Sequence, residues 1–432
     1  MKQMKDSGIV WIGEIPEDWD ITTYRRLFNR RKEYDDQDKQ VLSLTIQGVK
    51  VKNENYGKMA EDFTGHQIVK QGDLVFTPRD FDATPILSGI APCDGCISNL
   101  YFVLYPHNIS ETFIPFINYF MWGVKWGGDI WKRLSYGMRF SYNFQQFGAL
   151  PIAVPPIDTQ RRIADFLDDK CGKIDRYIEK QQKIINKLKE YKQAVITEAV
   201  TKGLNPDVPM KDSGIEWIGR IPENWGVAKL ANLFTFLGGY AFNSDLYVSE
   251  TENLIVRIGN VKNDRLLFDT NPVYISDDLA EQVIKFKLQC GDILFTMTGT
   301  KGKRDYFYTL ILDDSHIQTK NLYLNQRVGC FRKKAHIHAE YYNYLLKDNR
   351  ILDSIFLYET GTANQGNLGI DSINRTKVHL PPYDEQIIIA NYLKDKCSRI
   401  DAVIAKKKVA INKSTEYKKS LIYEAVTGKL EV

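Results

Sequence analysis

The chain has 432 residues, of which 43% are hydrophobic and 26% are charged, and its formal net charge is +4 at pH 7. These values exclude a disordered or fibrous chain and indicate two or more folded domains, and so small a charge does not by itself predict a nucleic-acid-binding protein. The first 19 residues hold no apolar signal-peptide core, and no later apolar run reaches the length of a membrane span. We therefore expect a cytoplasmic protein with no membrane partner.

The first element in the chain is a motif at residues 5–19 that recurs at residues 211–225, with 12 of 15 positions identical at an offset of 206. A second repeated block covers residues 155–204 and 381–430, with 26 of 50 positions identical at an offset of 226. The segments between these blocks share little. This pattern predicts two copies of one unit, in which the repeated parts form a common frame and the differing middles act on two different targets.

Each middle segment contains a Gly-Asp pair followed by an apolar run, in residues 72–77 and 291–296. This pattern predicts a tight turn that enters a β-strand in both copies. The two middles are therefore expected to be related globular heads of the α/β or α+β class.

Loops that could contact DNA follow these strands and precede each double proline. Residues 298–304 form a small-residue basic loop suited to phosphate, while residues 136–146 and 361–367 carry potential base readers, because Arg matches guanine and Asn or Gln matches adenine. Surface loops also carry such residues for solubility, and that alternative stays open. The candidate DNA-binding residues are Arg79, Arg139, Asn143, Gln145, Lys301, Lys303, Arg304, Asn364 and Gln365.

A long helix is predicted after each of the double prolines at 155–156 and 381–382. Apolar residues three and four apart form one stripe on each helix, which is typical of a coiled coil. The first stripe ends near residues 197–201, where we expect an inserted segment to disturb the core least. The stripes consist of Ile163, Leu167, Cys171, Ile174, Ile178, Ile185, Leu188, Val195 and Ala199, and of Ile389, Leu393, Cys397, Ile400, Ile404, Ile411, Leu421 and Ala425.

Together these elements predict two tandem globular heads plus long helices, the helices pairing as an antiparallel two-helix coiled coil. A pseudo-two-fold relation between the copies would place residues 5–19 beside the end of the second helix and make the topology circular. The predicted parts are a first head, a first long helix, a second head and a second long helix, at residues 1–156, 157–204, 205–382 and 383–432.

Three features together resemble the DNA-specificity subunits of Type I restriction-modification systems. They are the motif Asp-Ser-Gly-Ile-x-Trp-Ile-Gly-x-Ile-Pro-x-x-Trp, the Gly-Asp-Leu/Ile strand, and Pro-Pro-x-x-x-Gln at the start of a long helix, with Gln160 and Gln386 in the last position. The resemblance covers almost the whole chain. It implies that the heads are target recognition domains, each reading one half of a split double-stranded DNA site. It also implies that the helices set the gap between the halves and dock the partners.

The same resemblance implies partners that carry the chemistry. These are two modification subunits, which methylate adenine from S-adenosylmethionine, and restriction subunits, which use ATP and magnesium to translocate and cut DNA. The chain itself is then expected to need no cofactor and to hold no catalytic residue.

Two other function classes stay open. A stand-alone DNA methyltransferase would need an Asn/Asp-Pro-Pro-aromatic motif and a glycine-rich cofactor loop, and residues 271–274 and 380–383 match the first only in part. No Gly-x-x-x-x-Gly-Lys-Ser/Thr loop is present, which argues against an intrinsic motor. A coiled-coil scaffold for proteins alone would leave the differing heads unexplained.

Two sets of conspicuous residues are expected to be structural. Residues 93–96 form a Cys-x-x-Cys pair without a second pair of ligands, so we expect a turn and no metal. The repeated Trp11, Trp19, Trp217 and Trp225 belong to the frame, and we expect them to pack there and not to stack on bases.

Overall fold

The computed structural model describes residues 3–34, 40–52, 65–81, 85–137, 140–262, 265–362 and 365–432. The chain divides into two compact units: unit 1 is Met1–Lys183 with Lys406–Val432, and unit 2 is Ile184–Ala405. No helix in these described ranges is both long and apolar enough to cross a membrane.

Unit 1 mixes short strands with helices. Its strands are β1 (Met4–Asp6), β2 (Glu14–Pro16), β3 (Asp20–Thr23), β4 (Phe28–Arg30), β5 (Leu42–Thr45), β6 (Gly48–Val51), β7 (Gln67–Val69), β8 (Leu74–Phe76), β9 (Ser88–Ile90), β10 (Gly95–Ile97), β11 (Phe102–Pro106) and β12 (Pro151–Val154). Its helices are α1 (Tyr24–Leu27), α2 (Ile114–Trp126), α3 (Ile130–Arg133), α4 (Phe144–Ala149) and the first part of α5 (Ile157–Lys202).

Unit 2 also mixes short strands with helices. Its strands are β13 (Met210–Asp212), β14 (Arg220–Pro222), β15 (Gly226–Lys229), β16 (Phe234–Gly238), β17 (Asn253–Val256), β18 (Val261–Lys262), β19 (Arg265–Leu266), β20 (Ile293–Thr296), β21 (Thr298–Gly299), β22 (Thr309–Ile311), β23 (Asn321–Leu324), β24 (Val328–Lys333), β25 (Thr360–Thr362), β26 (Gln365–Asn367) and β27 (Lys377–Leu380). Its helices are α6 (Leu230–Leu233), α7 (Asp277–Gln282), α8 (Asp314–Ile317), α9 (Ala339–Leu345), α10 (Asn349–Phe356), α11 (Ile370–Arg375) and most of α12 (Tyr383–Val426), with 3-10 turns at Ser244–Leu246, Ile258–Asn260 and Ile284–Phe286.

A four-stranded antiparallel sheet lies at the centre of each unit, in the order β4-β11-β8-β9 in unit 1 and β16-β24-β20-β22 in unit 2. The strands predicted at residues 72–77 and 291–296 are confirmed as β8 and β20. Gly72 and Gly291 lie just before them with φ of +87° and +85°, a turn geometry that glycine adopts at little cost. The mixed class predicted for the heads is therefore observed in both units.

The two long helices begin where the double prolines predict, at Ile157 and Tyr383. Proline lacks a backbone N–H and fixes φ, so it is tolerated just ahead of a helix but not inside one. Each helix is followed by a glycine in the left-handed region, Gly203 with φ of +75° and Gly428 with φ of +73°. Both helices thus lie within the predicted segments 157–204 and 383–432.

Within unit 1 the two helices run in opposite directions. Asp175 accepts a hydrogen bond from Lys418 at 2.6 Å, and Gln181, six residues further along α5, accepts one from Lys407 at 2.9 Å. Closer to the sheet the pair joins one hydrophobic core with the aromatic residues of α2. The stripe residues that pack in this core are Ile163, Leu167, Cys171, Ile174, Leu421 and Ala425.

Unit 2 contains the corresponding core. Here the end of α5 packs with the start of α12, and Lys192 forms a 2.7 Å ion pair with Asp401. The stripe residues in the core are Val195, Ala199, Ile389, Leu393 and Cys397. All the predicted stripe positions in both helices are buried or half-buried, so the periodicity correctly identified the inward face.

The repeated tryptophan motif packs against a helix end in each unit. Trp19 and Trp225 are each 1% exposed, and a Cβ added at Gly428 or Gly203 would lie 3.4 Å from the ring of Trp19 or Trp225, respectively. Trp11 and Trp217 pack against the same cores from partly exposed positions. The expected structural role of these tryptophans is therefore confirmed.

Candidate nucleic-acid interface

A buried ion pair fixes the central sheet in each unit. The carboxylate of Asp73 accepts hydrogen bonds from Arg31 Nε at 2.8 Å and from the backbone N–H of Lys70 at 2.9 Å. Asp292 accepts the same kinds of bond from Arg332 Nε and the backbone N–H of Gln289, both at 2.9 Å. Paired in this way, each buried carboxylate is satisfied and anchors the Gly-Asp turn at the start of β8 or β20.

A buried glutamine makes equivalent hydrogen bonds at the start of each long helix. The side chain of Gln160 donates to the carbonyls of Pro155 and Glu111 and accepts from the backbone N–H of Phe113 at 2.8 Å. Gln386 donates to the carbonyl of Pro381 and accepts from the backbone N–H of His338 at 2.8 Å. The Pro-Pro-x-x-x-Gln pattern thus ties the helix start to the segment preceding α2 or α9.

Unit 1 has a concavity of about 380 Å³ at the end of β8 that contains two of the predicted readers, Arg79 and Asn143. Asn143 is exposed, and its side chain also caps α4 by accepting from the backbone N–H of Gln146 at 2.8 Å. Gln145 is exposed on α4 and is not among the lining residues. Arg139 lies outside the described residues.

Arg30 forms part of the floor of this concavity. Its guanidinium lies 4.6 Å from the ring centre of Phe102 and 5.7 Å from that of Phe144, a cation–π arrangement. Among the described residues its Nε has no hydrogen-bond partner, and burial lowers the pKa of Arg30 below its ordinary value. The lining of the concavity therefore includes the cationic side chain of Arg30, which packs against two aromatic rings.

Unit 2 has a concavity of about 450 Å³ at the end of β20, and it contains the predicted reader Gln365. Asn367, Gln326 and Arg327 line it as well. Asn364 lies outside the described residues. The segment 361–367 was expected to be a loop, but its two ends are strands: β25 pairs with β26, which also pairs with β21.

Glycine explains why that hairpin was missed. A Cβ at Gly361 would lie 2.1 Å from the carbonyl oxygen of Gln365, and one at Gly366 would lie 2.9 Å from the hydroxyl of Tyr306. The strands come this close only because side chains are absent, and glycine is depleted in strands, so composition pointed to a loop.

The two concavities occupy the same place in the two sheets. Phe76 pairs with Phe102 in unit 1, and Phe295 pairs with Gly329 in unit 2, which sets the correspondence between the strands. Counting residues along the chain from these pairs, Arg79 corresponds to Thr298, Asn99 to Gln326 and Leu100 to Arg327. All six residues line one of the two concavities. Equivalent backbone positions therefore carry different side chains in the two units.

The predicted phosphate loop at residues 298–304 is partly strand and partly neutralised. Residues 298 and 299 form β21, and Arg304 is ion-paired with Asp353. The backbone N–H groups of Thr300 and Gly302, which could otherwise bind a phosphate, donate to Asp305 at 2.7 Å and to Glu359 at 3.0 Å.

Two lysines of this loop remain in contact with solvent. Lys301 is exposed and donates to the carbonyl of Gly361 at 2.9 Å, and Lys303 is exposed beside it. Lys303 is the loop cation best placed to meet a phosphate, because Arg304 already has a carboxylate partner.

The cysteine pair at residues 93–96 lies in a turn that enters β10. Cys96 is buried, and the thiol of Cys93 lies 3.5 Å from Gln40 Oε1. In the part of the chain that the structure describes, no group of three or more His, Cys, Asp or Glu residues could hold a metal ion.

Residues 222–413 match the protein family described as the Type I restriction modification DNA specificity domain. Among curated proteins, the Type I restriction enzyme MjaVIII specificity subunit of Methanocaldococcus jannaschii is 28% identical over 66% of this chain and 63% of its own length. The Type I restriction enzyme EcoKI specificity subunit of Escherichia coli is 23% identical over 49% of this chain and 44% of its own length. The match thus spans less than two thirds of either relative.

A chain from a solved structure on the complex assembly and conformational transition of the type I R-M system superposes with a TM-score of 0.69. This similarity covers 96% of the present chain and 99% of that chain at 14% identity. At so low an identity the similarity establishes a shared fold.

Proposed function

Because this chain belongs to the family of Type I restriction-modification DNA specificity subunits, we propose that it recognises a DNA sequence in two halves, one with the head of each unit. The observation that carries this proposal is the pair of concavities at equivalent sheet positions, each with its own set of polar side chains. A repeated frame that presents two different surfaces suits a target with two different halves.

The long helices supply the frame of this reader. Continuous helices of 46 and 44 residues that pack with each other in both units support an antiparallel coiled coil with a pseudo-two-fold relation between the heads. At about 1.5 Å per residue, α5 alone is about 69 Å long. We propose that this length sets the gap between the two half-sites, in a circular arrangement of the four predicted parts.

The chain is proposed to recognise DNA without performing catalysis. Its partners would be two modification subunits, docked on the helices, and restriction subunits. S-adenosylmethionine, ATP and magnesium would be used by those partners and not by this chain. The rival reading as a stand-alone methyltransferase predicts instead that the isolated chain binds S-adenosylmethionine tightly, which calorimetry would detect.

A head exchange tests the proposed function. Residues 226–378 are replaced by the corresponding segment of another family member, and the chain is assembled with its modification partner. Sequencing of methylated sites from a randomised DNA library should show one half-site changed and the other unchanged. A change in both half-sites at once would contradict independent reading.

The gap can be tested separately, but not by insertion at residues 197–201 as the end of the stripe suggested. Val200 is fully buried and its carbonyl accepts a hydrogen bond from Tyr341, so an insertion there would disrupt the core of unit 2. Seven residues added to each helix near Lys183 and Lys406 keep the apolar face nearly in phase. The gap should widen by about 10 Å, or about three base pairs, with unchanged half-sites.

A further inference from the structure

The turn that precedes β24 in unit 2 presents two polar side chains from a rigid support. The backbone N–H of Gln326 donates to the carbonyl of Tyr240 at 3.0 Å, and the carbonyl of Arg327 accepts from the N–H of Met297 at 3.1 Å. A Cβ at Gly239 would lie 2.0 Å from the carbonyl oxygen of Asn325, so this turn is packed directly onto the neighbouring backbone. Both side chains are exposed on a turn that is held from two sides.

The chemistry of the two concavities favours base edges over other ligands. No Asp or Glu is among the described residues that line either one, which disfavours a metal or a cationic ligand. Each concavity has several amide side chains, and the amide at the equivalent sheet position is Asn99 in unit 1 and Gln326 in unit 2. A guanidinium on an adjoining turn or strand end accompanies it, that of Arg79 in unit 1 and that of Arg327 in unit 2. An Asn or Gln amide pairs with adenine through two hydrogen bonds, and Arg pairs with guanine in the same bidentate way.

We propose that Asn99 and Arg79 in unit 1, and Gln326 and Arg327 in unit 2, determine the sequence that each head reads. This inference rests on the proposed DNA-recognition function and deepens it. The amide in each pair contacts an adenine, and the guanidinium contacts a guanine.

The equivalent positions also predict how the two half-sites differ. The amide occupies the same place in both units, at Asn99 and Gln326. The guanidinium assigned to guanine does not: in unit 1 Arg79 extends from the segment that follows β8, whereas in unit 2 Arg327 extends from the turn, where unit 1 has Leu100. The guanine therefore lies at a different position relative to the adenine in the two half-sites.

The test uses the full chain in complex with its modification partner, with methylated sites sequenced from a randomised DNA library. Arg327→Ala should lower discrimination at one base pair of one half-site by roughly 5- to 150-fold and leave the other half-site unchanged. Arg79→Ala should do the same in the other half-site. Arg327→Lys keeps the charge but loses the bidentate geometry, so it too should lose discrimination.

The matched control is Lys285→Ala, which removes an exposed cation of unit 2 that does not line the concavity and should leave specificity unchanged. Arg327 is exposed, so a normal melting temperature is expected for its variants and should be verified. If Arg327→Ala weakened methylation of all sequences equally, or had no effect, base reading by this residue would be overturned. A wild-type complex without any sequence preference would instead overturn the proposed function itself.

Discussion

Each unit buries an aspartate at an equivalent position, but the arginine that pairs with this aspartate comes from a different part of the sheet in each unit. In unit 1 the partner of Asp73 is Arg31, just beyond β4, and its guanidinium stacks on the ring of Tyr105 at 4.8 Å. In unit 2 the partner of Asp292 is Arg332, which occupies on β24 the register position that Tyr105 occupies on β11. The comparison teaches that the frame preserves a satisfied carboxylate and a strand register, while neighbouring side chains can be exchanged.

The largest expected effect comes from removing that carboxylate charge. Asp73→Asn leaves Arg31, whose side chain is 9% exposed, with only the exposed Glu33 at 3.1 Å as a counter-charge and should destabilise unit 1 by up to about 3–5 kcal/mol. Asp292→Asn should destabilise unit 2 less, because the side chain of Arg332 is 26% exposed and can be hydrated. Hydrogen exchange resolved by segment measures both losses.

A double replacement of Asp73 and Arg31 by apolar residues of similar size serves as the control, and it should recover much of the lost stability. Equal losses in the two single variants would contradict the proposed link between arginine exposure and stability.

The two units should also differ in how their stability depends on pH. Burial, with a smaller contribution from the charge of Arg350, lowers the pKa of His379 to about 3, whereas the corresponding position in unit 1 is Ala153. Below pH 6.5 the unfolded chain takes up a proton that the folded unit 2 does not, so stability falls with pH until about pH 3. At pH 4.5 unit 2 should lose roughly 2–3 kcal/mol from this residue alone.

Hydrogen exchange between pH 7 and pH 4.5 measures this loss, and His379→Ala should flatten the profile of unit 2. Burial also lowers the pKa of His338, so some dependence on pH should remain in that variant. An identical profile for wild type and His379→Ala would show that the histidine is not buried in its neutral form.

The smallest expected effect concerns the basic loop of unit 2. Lys303→Ala should lower the slope of log binding constant against log salt by about one, if this lysine contacts a phosphate. Arg304→Ala should change the slope less, because Asp353 already neutralises the guanidinium. Fluorescence anisotropy with a labelled duplex at several salt concentrations distinguishes them, and a larger change for Arg304→Ala would contradict this assignment.

The sequence predicted the parts of the fold that depend on local chemistry. Glycine turns located β8 and β20, double prolines located the starts of α5 and α12, and three-four spacing identified their buried faces. It did not predict which distant segments meet. Asp353, which neutralises Arg304, and the hairpin of β25 and β26 are brought to the basic loop only by tertiary folding.

The candidate site likewise contains residues that the sequence predicted and residues that it did not. Arg79, Asn143 and Gln365 were predicted and line concavities, but Asn99, Gln326 and Arg327 were missed. The signal that could have found them is their position just before the strand paired with β8 or β20: Asn99 lies three residues before β11, and Gln326 and Arg327 lie two residues and one residue before β24. That pairing is set by register across the sheet, which residue spacing along the chain does not reveal.

The exposed turn before β24 has an evolutionary consequence. Gln326 and Arg327 contribute their backbone to the sheet, but their side chains stand outside the core, so replacing them should alter stability by only a few tenths of a kcal/mol. Mutations at such positions remain above the stability threshold that eliminates most core variants. Point mutations can therefore change the surface chemistry of the unit 2 concavity while the fold remains unchanged.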